Sequence, residues 1–286
     1  MKPAPFTYHA PTTVADAVGL LSRLASDDGR IIAGGQSLLP MMAFRVAQPT
    51  LLVDLRKLAE LRGIRISSDG VRLGALVRWR DIQDDARLAT AHPLLADAIK
   101  HVAHYQVRNR GTVGGSMAHA DPASEMPGVA VTCDAEIAVR GKSGTRTIKA
   151  ADFFLGALTT ALAPDEIITE VRLPAWPANR RHGFQEFARR RGDFAMSGVA
   201  LFYDLDAGGK AANAHVGVIG VGDHPKRLAA VEAVVNGQTV DEATIAKAVA
   251  AASAAVEPPD DIHASAAYRK ALTGTLVERA LRSAAA

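Results

Sequence analysis

Two short stretches hold the residue types that could do chemistry on a phosphate: Ala33-Gly34-Gly35-Gln36-Ser37, and Thr112-Val113-Gly114-Gly115-Ser116 with Gly111 before it. Glycine carries no Cβ to keep an anion away and reaches positive backbone angles, so successive amides can converge into a concave nest. Ser37 and Ser116 add hydroxyls able to donate to a phosphate oxygen. One such loop is as readily an ordinary glycine turn. Two of them suit a ligand with two linked phosphates, as a dinucleotide has. Neither loop carries the lysine of a Walker A motif. Asp54 lies about 20 residues beyond Gly34, as in a dinucleotide fingerprint, but Leu38 and Leu39 fill the stretch where the third glycine belongs.

Just past the second loop, His119-Ala120-Asp121-Pro122-Ala123-Ser124-Glu125 places two carboxylates. Beside a phosphate nest, a carboxylate is tolerable where it accepts hydrogen bonds from sugar-like hydroxyls. Glu125 is read in that role. For Asp121 a helix N-cap, with Pro122 at the first helical position, fits equally well. His101 and His104 sit three apart and His119 lies near Asp121, but no HExxH or CxxC accompanies them, so no metal site is expected. Ser37 and Ser116 lack the Gly-x-Ser-x-Gly elbow of a nucleophile. Cys133, the single cysteine, excludes an internal disulfide and an iron–sulfur cluster built from this chain alone. Redox chemistry would need an organic cofactor or a partner's metal.

The elements that must position these loops alternate strand and helix. Thr13 and Asp16 resemble a capping box, and Val14, Ala17, Val18 and Leu21 follow at helical spacing. Ile31-Ile32 reads as a buried strand entering the first loop and Leu51-Leu52-Val53 as the next strand, a small βαβ-like unit. From Ile64 the period becomes two, with a hairpin turning at Asp69-Gly70. Short helices over 79–88 and 94–103 lead to the second loop, and a second hairpin turns at Ser143-Gly144. This mixture predicts an α+β fold. The prolines of Leu173-Pro174-Ala175-Trp176-Pro177-Ala178-Asn179 predict a linker. Beyond it, strands over 184–188, 199–205 and 215–221 and alanine-rich helices over 226–235, 241–256 and 262–282 predict a small sheet packed on a helical bundle.

At 286 residues and 48% hydrophobic, the chain is long enough for two domains. No apolar run approaches the roughly 20 residues of a membrane span, and no signal-like stretch opens the sequence, so a cytoplasmic location is expected. The net charge is only +3. The clusters Arg180-Arg181 and Arg189-Arg190-Arg191 lack interleaved aromatics, so they are read as solvated surface or subunit contact rather than a nucleic-acid site.

Taken together, Ala33-Gly34-Gly35-Gln36-Ser37-Leu38-Leu39-Pro40-Met41-Met42, Val107-Arg108-Asn109-Arg110-Gly111-Thr112-Val113-Gly114-Gly115-Ser116, His119-Ala120-Asp121-Pro122, Asp152-Phe153-Phe154 with Gly156, and Arg191-Gly192-Asp193-Phe194-Ala195 resemble the FAD-binding medium subunit of molybdenum hydroxylases. That group includes xanthine dehydrogenase and aerobic carbon monoxide dehydrogenase. The resemblance implies an FAD-binding domain of the p-cresol methylhydroxylase (PCMH) type over about residues 1–176, with two α/β subdomains (about 1–55 and 56–176), then a C-terminal flavoprotein domain over about 177–286. It implies that Ala33, Gly34, Gly35, Gln36, Ser37, Thr112, Val113, Gly114, Gly115 and Ser116 hold the FAD diphosphate, that Glu125 bonds the flavin's polyol chain, and that Ile168 contacts the cofactor.

The resemblance also implies partners: a small 2Fe-2S subunit passing electrons to the flavin and a large molybdopterin subunit oxidising the substrate, arranged as a dimer of heterotrimers. The flavin would hand electrons to a terminal acceptor. No catalytic acid or base of this chain is needed. Departures are Gln36 where several members have histidine, Ser116 where many have asparagine, and no assigned counterpart, among Gln185 and Glu186, for a lysine some members carry before Gly192-Asp193. The competing readings are a stand-alone flavin oxidoreductase of the same superfamily and a non-redox nucleotide-binding scaffold.

Overall fold

A parallel three-stranded sheet carries the first glycine loop. The computed structural model describes residues 2–24 and 28–286, with the side chains of residues 23 and 24 excluded. Its first unit is β1 (Thr7–His9), α1 (Val14–Leu24), β2 (Gly29–Ile32), α2 (Leu38–Ala43) and β3 (Leu51–Asp54), with strand order β1-β3-β2. Both neighbours run parallel to β3. The apolar run Leu51-Leu52-Val53 suits this central position, because a parallel strand is buried on both faces. α1 starts where Thr13 Oγ1 accepts from the Asp16 amide at 3.1 Å, and its stripe Val14, Ala17, Val18 and Leu21 packs with Leu51 and Val53. β1 was not foreseen. It is three mostly exposed residues with no apolar period, tied down where the Tyr8 hydroxyl donates to buried Asp54 at 2.7 Å.

The middle of the chain supplies β4 (Ile64–Ser67), β5 (Gly70–Gly74), α3 (Trp79–Asp84), α4 (Leu88–Ala91), α5 (Pro93–Ala98), α6 (Tyr105–Arg108), α7 (Val113–His119), α8 (Glu125–Thr132), β6 (Glu136–Gly141), β7 (Gly144–Lys149), α9 (Ala150–Phe153), β8 (Phe154–Gly156), β9 (Thr159–Thr160) and β10 (Ile167–Pro174). β4-β5-β10-β6-β7 form an antiparallel sheet whose apolar face meets α3, α5, α7 and α8 in the largest core. Both predicted hairpins form, each turning one residue earlier than expected. Ser67 pairs with Gly70 and Gly141 with Gly144, so the turn residues are Ser68-Asp69 and Lys142-Ser143. The two helices expected over 79–88 and 94–103 are shorter: α3 ends at Asp84 with Asp85 extended, and α5 ends at Ala98.

The last segment contains β11 (Arg180–Phe187), β12 (Ser197–Leu205), β13 (Ala211–Ile219), β14 (Lys226–Arg227), α10 (Ala229–Val235), α11 (Glu242–Ala255) and α12 (Ala266–Ala285). The four strands form an antiparallel sheet in sequence order, and the three helices cover one face around Val199, Leu201, Val231, Ala248 and Leu281. The other face meets the middle of the chain through α8: the Pro122 carbonyl accepts from the Gly220 amide at 2.9 Å, and Gly128 abuts Ile219. Trp176, in the predicted linker, is wedged against His92, His182 and Phe202 with ring centroids 4.7 to 5.7 Å apart. Arg180 lies over the Phe202 ring and pairs with Asp204 at 2.6 Å, so it is not the solvated surface charge expected. Arg189, Arg190 and Arg191 are exposed.

His92 ties this seam to pH. It is 1% exposed, caps α5 by accepting the Leu95 amide on Nδ1 at 3.2 Å, and burial lowers its pKa from 6.5 to about 3. Capping needs that nitrogen unprotonated. Because the folded value lies below the unfolded one, the unfolded chain takes up the proton first, and stability falls as pH drops below 6.5. Denaturant unfolding between about pH 7 and about pH 5 is expected to show this slope, and His92→Asn, which keeps a capping acceptor without a titrating ring, to flatten it.

Candidate functional site

The first loop connects β2 to α2. Gly35 holds φ 72°, a left-handed conformation, and a Cβ there would stand 2.9 Å from Leu39 Cδ1. Among the described residues the amides of Gly34, Gly35, Gln36 and Ser37 donate to no protein acceptor. Ser37 precedes α2 without using its hydroxyl as a cap. The Gln36 side-chain amide donates to the Gly34 carbonyl at 3.3 Å, bracing the loop against itself. The result is a run of four donors without a protein partner, which can bind an anion through backbone dipoles.

The second loop differs from the twin nest that its sequence predicts. Gly111 donates to Val107 at 2.7 Å, Val113 to Val77 at 2.9 Å, Gly114 to Ala75 at 2.8 Å and Ser116 to Thr112 at 3.0 Å, all to carbonyls, while Gly115 donates to the Thr112 hydroxyl at 3.2 Å. Thr112 to Ser116 form the capped first turn of α7, and the Val113 and Gly114 amides seat that turn on the Val77 and Ala75 carbonyls. Gly114 is small because a Cβ would come within 2.6 Å of Ala75 Cβ. Val113 is fully buried in the main core and does not reach the cleft, so its expected contact with the ligand gives way to an anchoring role. What the loop offers a ligand is a bare backbone wall at Gly115 and the Ser116 side chain.

The two loops touch. A Cβ on Gly34 would run into the Arg110 carbonyl and stand 2.9 Å from Gly111 Cα. Between them opens a cleft of about 920 Å³, lined by Ala33 to Ser37, by Thr112, Gly114, Gly115 and Ser116, and by Glu125 and Ile168. Its volume is near the top of the range for small-molecule sites, about 300–1,000 Å³. Val102 to His104, Leu158, and Gly192 to Phe194 are among the other residues of its walls. Of these, only 192–194 belongs to a stretch that carries the family resemblance; 102–104 and Leu158 have no site role in the sequence reading. They lie far apart in the chain and only tertiary packing, such as the His104 ring against Gly192, brings them to the cleft.

The carboxylates are arranged unevenly. Asp121 Oδ1 accepts the Ala123 amide at 2.9 Å, closing a local turn, and α8 is preceded by Ser124, so Asp121 is not its N-cap. Glu125 opens α8 and lines the cleft. Burial pushes its carboxyl well above the usual carboxylate range, and the charge of Asp121 adds to the shift. Glu186 on β11 is pushed up likewise, by burial first and by Glu125 second. Among the described residues, neither Glu125 nor Glu186 forms a salt bridge, and no group of His, Cys, Asp and Glu is arranged to hold a metal ion.

Residues 4–176 match the family described as FAD binding domain in molybdopterin dehydrogenase, and residues 182–284 match the CO dehydrogenase flavoprotein C-terminal domain. The chain belongs to this family of FAD-binding molybdopterin dehydrogenases. It is 38% identical over 284 residues to the 6-hydroxypseudooxynicotine dehydrogenase complex subunit alpha of Paenarthrobacter nicotinovorans, across 99% of this chain and 96% of that one. It is 36% identical to the carbon monoxide dehydrogenase medium chain of Hydrogenophaga pseudoflava, across 99% and 98% of the two chains. Among solved structures, quinoline 2-oxidoreductase from Pseudomonas putida 86 superposes with a TM-score of 0.94 at 36% identity, covering 100% of this chain and 98% of that one. The chain is thus an FAD-binding subunit of an oxidoreductase, with a C-terminal flavoprotein domain. The cleft fits that cofactor: four free amides in one loop and a bare backbone wall opposite suit a diphosphate, within a volume large enough for a dinucleotide. No helix among the described residues is long and apolar enough to cross a membrane.

Replacing Gly34 by alanine forces the loops apart against backbone, which has little freedom to yield. Such overpacking costs about 1–3 kcal/mol. Thermal unfolding of the cofactor-free variant is expected several degrees below the parent chain, whereas alanine at Gly63, where a Cβ meets nothing within 4 Å, leaves the midpoint almost unchanged.

Proposed function

We propose that the free amides of Gly34, Gly35, Gln36 and Ser37 hold the FAD diphosphate, with Ala33, Thr112, Gly114, Gly115 and Ser116 forming the walls that fix it. Glu125 bonds hydroxyls of the polyol chain, and Ile168 supplies apolar contact beside them. Val113 holds α7 in place from the core. The observation that carries this reading is the abutment of Gly34 on Arg110–Gly111, which sets the free amides of one loop across from the bare backbone of the other. FAD, once bound, takes electrons singly and releases them in pairs, so it can link one-electron and two-electron carriers.

Within an assembly, this chain receives electrons from a small 2Fe-2S subunit and passes them to a terminal acceptor, while a large molybdopterin subunit oxidises the substrate. A dimer of such heterotrimers is the proposed arrangement, and the cytoplasm its location. Residues 1–176 are read as a PCMH-type domain with subdomains at about 1–55 and 56–176, and residues 177–286 as the C-terminal domain. Support comes from the match of the carbon monoxide dehydrogenase medium chain over nearly all of this chain, and from the separate core that β12 and β13 build with α10, α11 and α12.

The full chain, expressed alone and incubated with FAD, is expected to emerge from gel filtration yellow, with about one flavin per chain. Inorganic pyrophosphate in excess should slow FAD uptake. Gly34→Ala should weaken FAD binding roughly ten- to hundredfold, the equivalent of about 1.4–3 kcal/mol. A colourless chain that takes up no FAD overturns the reading. Co-purification of iron–sulfur and molybdopterin chains with the native protein tests the partners.

A further inference from the structure

The hairpin of β8 and β9 carries a strained residue into the cleft. Gly156 pairs with Thr159, which leaves Ala157 and Leu158 as the two turn residues. Leu158 holds φ 55°, in the left-handed region. Positive φ at the second position of a tight turn suits Gly or Asn, whereas a bulky side chain there sets its Cβ against the following carbonyl. Leu158 gains little in return from the protein itself: its side chain lines the cleft and the residue stays 53% exposed. A leucine held under strain with so little burial is not there for the core.

Such strain persists where the surroundings over-determine the backbone, and they do so here from both ends of the hairpin. At its base, Phe153 and Phe154 are buried and meet edge to face at 5.1 Å, and the Ala161 amide donates to the Phe153 carbonyl at 2.9 Å. At its tip, the Thr159 hydroxyl donates to the Ala157 carbonyl at 3.0 Å and the Leu158 amide to the Ala120 carbonyl at 3.1 Å. Ala120 caps the end of α7 and is itself left-handed, at φ 51°. Next to it, the Pro122 carbonyl accepts the Gly220 amide at 2.9 Å, and a Cβ on Gly220 would meet the Ala195 carbonyl at 2.6 Å. The turn after α7 therefore anchors the Leu158 tip on one side and, on the other, the segment carrying Phe194, which also lines the cleft and is 66% exposed. Ser124 and Glu125, further along the same turn, line the cleft as well.

We propose that Leu158 packs on the isoalloxazine ring of FAD, and that its backbone strain is retained because an apolar side chain at this tip both positions the ring and keeps water from it. This inference rests on the reading of the cleft as the FAD site. With the diphosphate at the β2–α2 turn and the polyol at Glu125, the ring is the next part of the cofactor, and the turn that fixes Leu158 lies just ahead of Glu125 in the chain. A hydrocarbon side chain suits a neutral ring but solvates poorly the negative charge of a reduced one. Leu158 thus favours a flavin that gives electrons up over one that keeps them.

The test compares the full chain with Leu158→Gly, Leu158→Asn and Leu158→Met, with FAD as the probe. Without cofactor, Leu158→Gly and Leu158→Asn are expected to unfold at or above the temperature of the parent, because both residues tolerate the left-handed turn. With FAD, both should bind roughly tenfold more weakly. Their bound flavin should also lose the vibronic fine structure of its long-wavelength band, become more open to quenching by iodide and show a higher reduction potential. Leu158→Met, which restores an apolar contact, should return spectrum and quenching to those of the parent. Weaker FAD binding accompanied by an equal loss of cofactor-free stability, with spectrum and quenching unchanged, marks Leu158 as a turn residue of the fold and overturns the proposal. So does failure of both the glycine and the asparagine variant to fold. A parent that binds FAD, with Leu158→Gly matching it in affinity, spectrum and quenching, overturns the proposal and leaves the cofactor reading standing. A parent chain that takes up no FAD overturns both.

Discussion

The backbone contact of Gly34 with Arg110 and Gly111 fixes the geometry of everything around the cleft. It joins a parallel sheet unit to the helices of the antiparallel sheet without any intervening side chain, so the separation of the two loops is set by backbone atoms alone. Such a contact has none of the slack that rotamers give. It also explains why the two loops divide their work. The first is a turn whose amides are left without protein partners, with Gly35 at φ 72°. The second must be rigid enough to be leaned upon, and so its amides are committed to Val77, Ala75 and the Thr112 hydroxyl.

A second close approach transmits this order to the C-terminal sheet. α8 presents Glu125 to the cleft with its first residue and presses Gly128 and Thr132 against β13 with its body. The Thr132 carbonyl meets His215 Nδ1 at 2.8 Å, and Thr132 Oγ1 donates to Gly128 at 2.7 Å, so the polar groups of this tight seam are satisfied. One short helix thus serves as cleft wall and as inter-sheet contact. Displacing the C-terminal sheet would move Glu125, which couples the shape of the site to a part of the chain that contributes no cradle of its own.

Local patterns made much of the fold legible. The stripe of α1, the buried run of β3 and the two hairpins follow from periodicity and turn residues, and each formed close to its expected place. Misplaced elements lacked local signals: β1 is too short and exposed to show a period, β14 is two residues, and the helix expected over 94–103 ends at Ala98. At the site, glycine content pointed to both loops but could not reveal which amides were already taken. That depends on Ala75 and Val77, more than thirty residues away in sequence. Gln185 and Glu186, the neighbours of an unassigned lysine position in the sequence, take opposite faces of β11 through strand register alone.

The cleft is chemically graded, and the grading accounts for an awkward feature of the sequence, acids placed beside an anion cradle. Unpaired backbone donors gather at the β2–α2 turn. Of the acids that line the cleft, Glu125 belongs to the segment after α7, beyond the capped glycine wall, while Asp28, Glu166 and Asp193 come from other segments. Apolar surface remains at Leu158 and Phe194, which line the cleft yet stay 53% and 66% exposed. A ligand with a dianionic centre, a neutral hydroxylated chain and a flat apolar end meets a matching surface along its length, whereas a simple polyphosphate would meet unfavourable charge beyond the amides. Discrimination between such ligands therefore resides less in the glycine loops than in what α8 places after them.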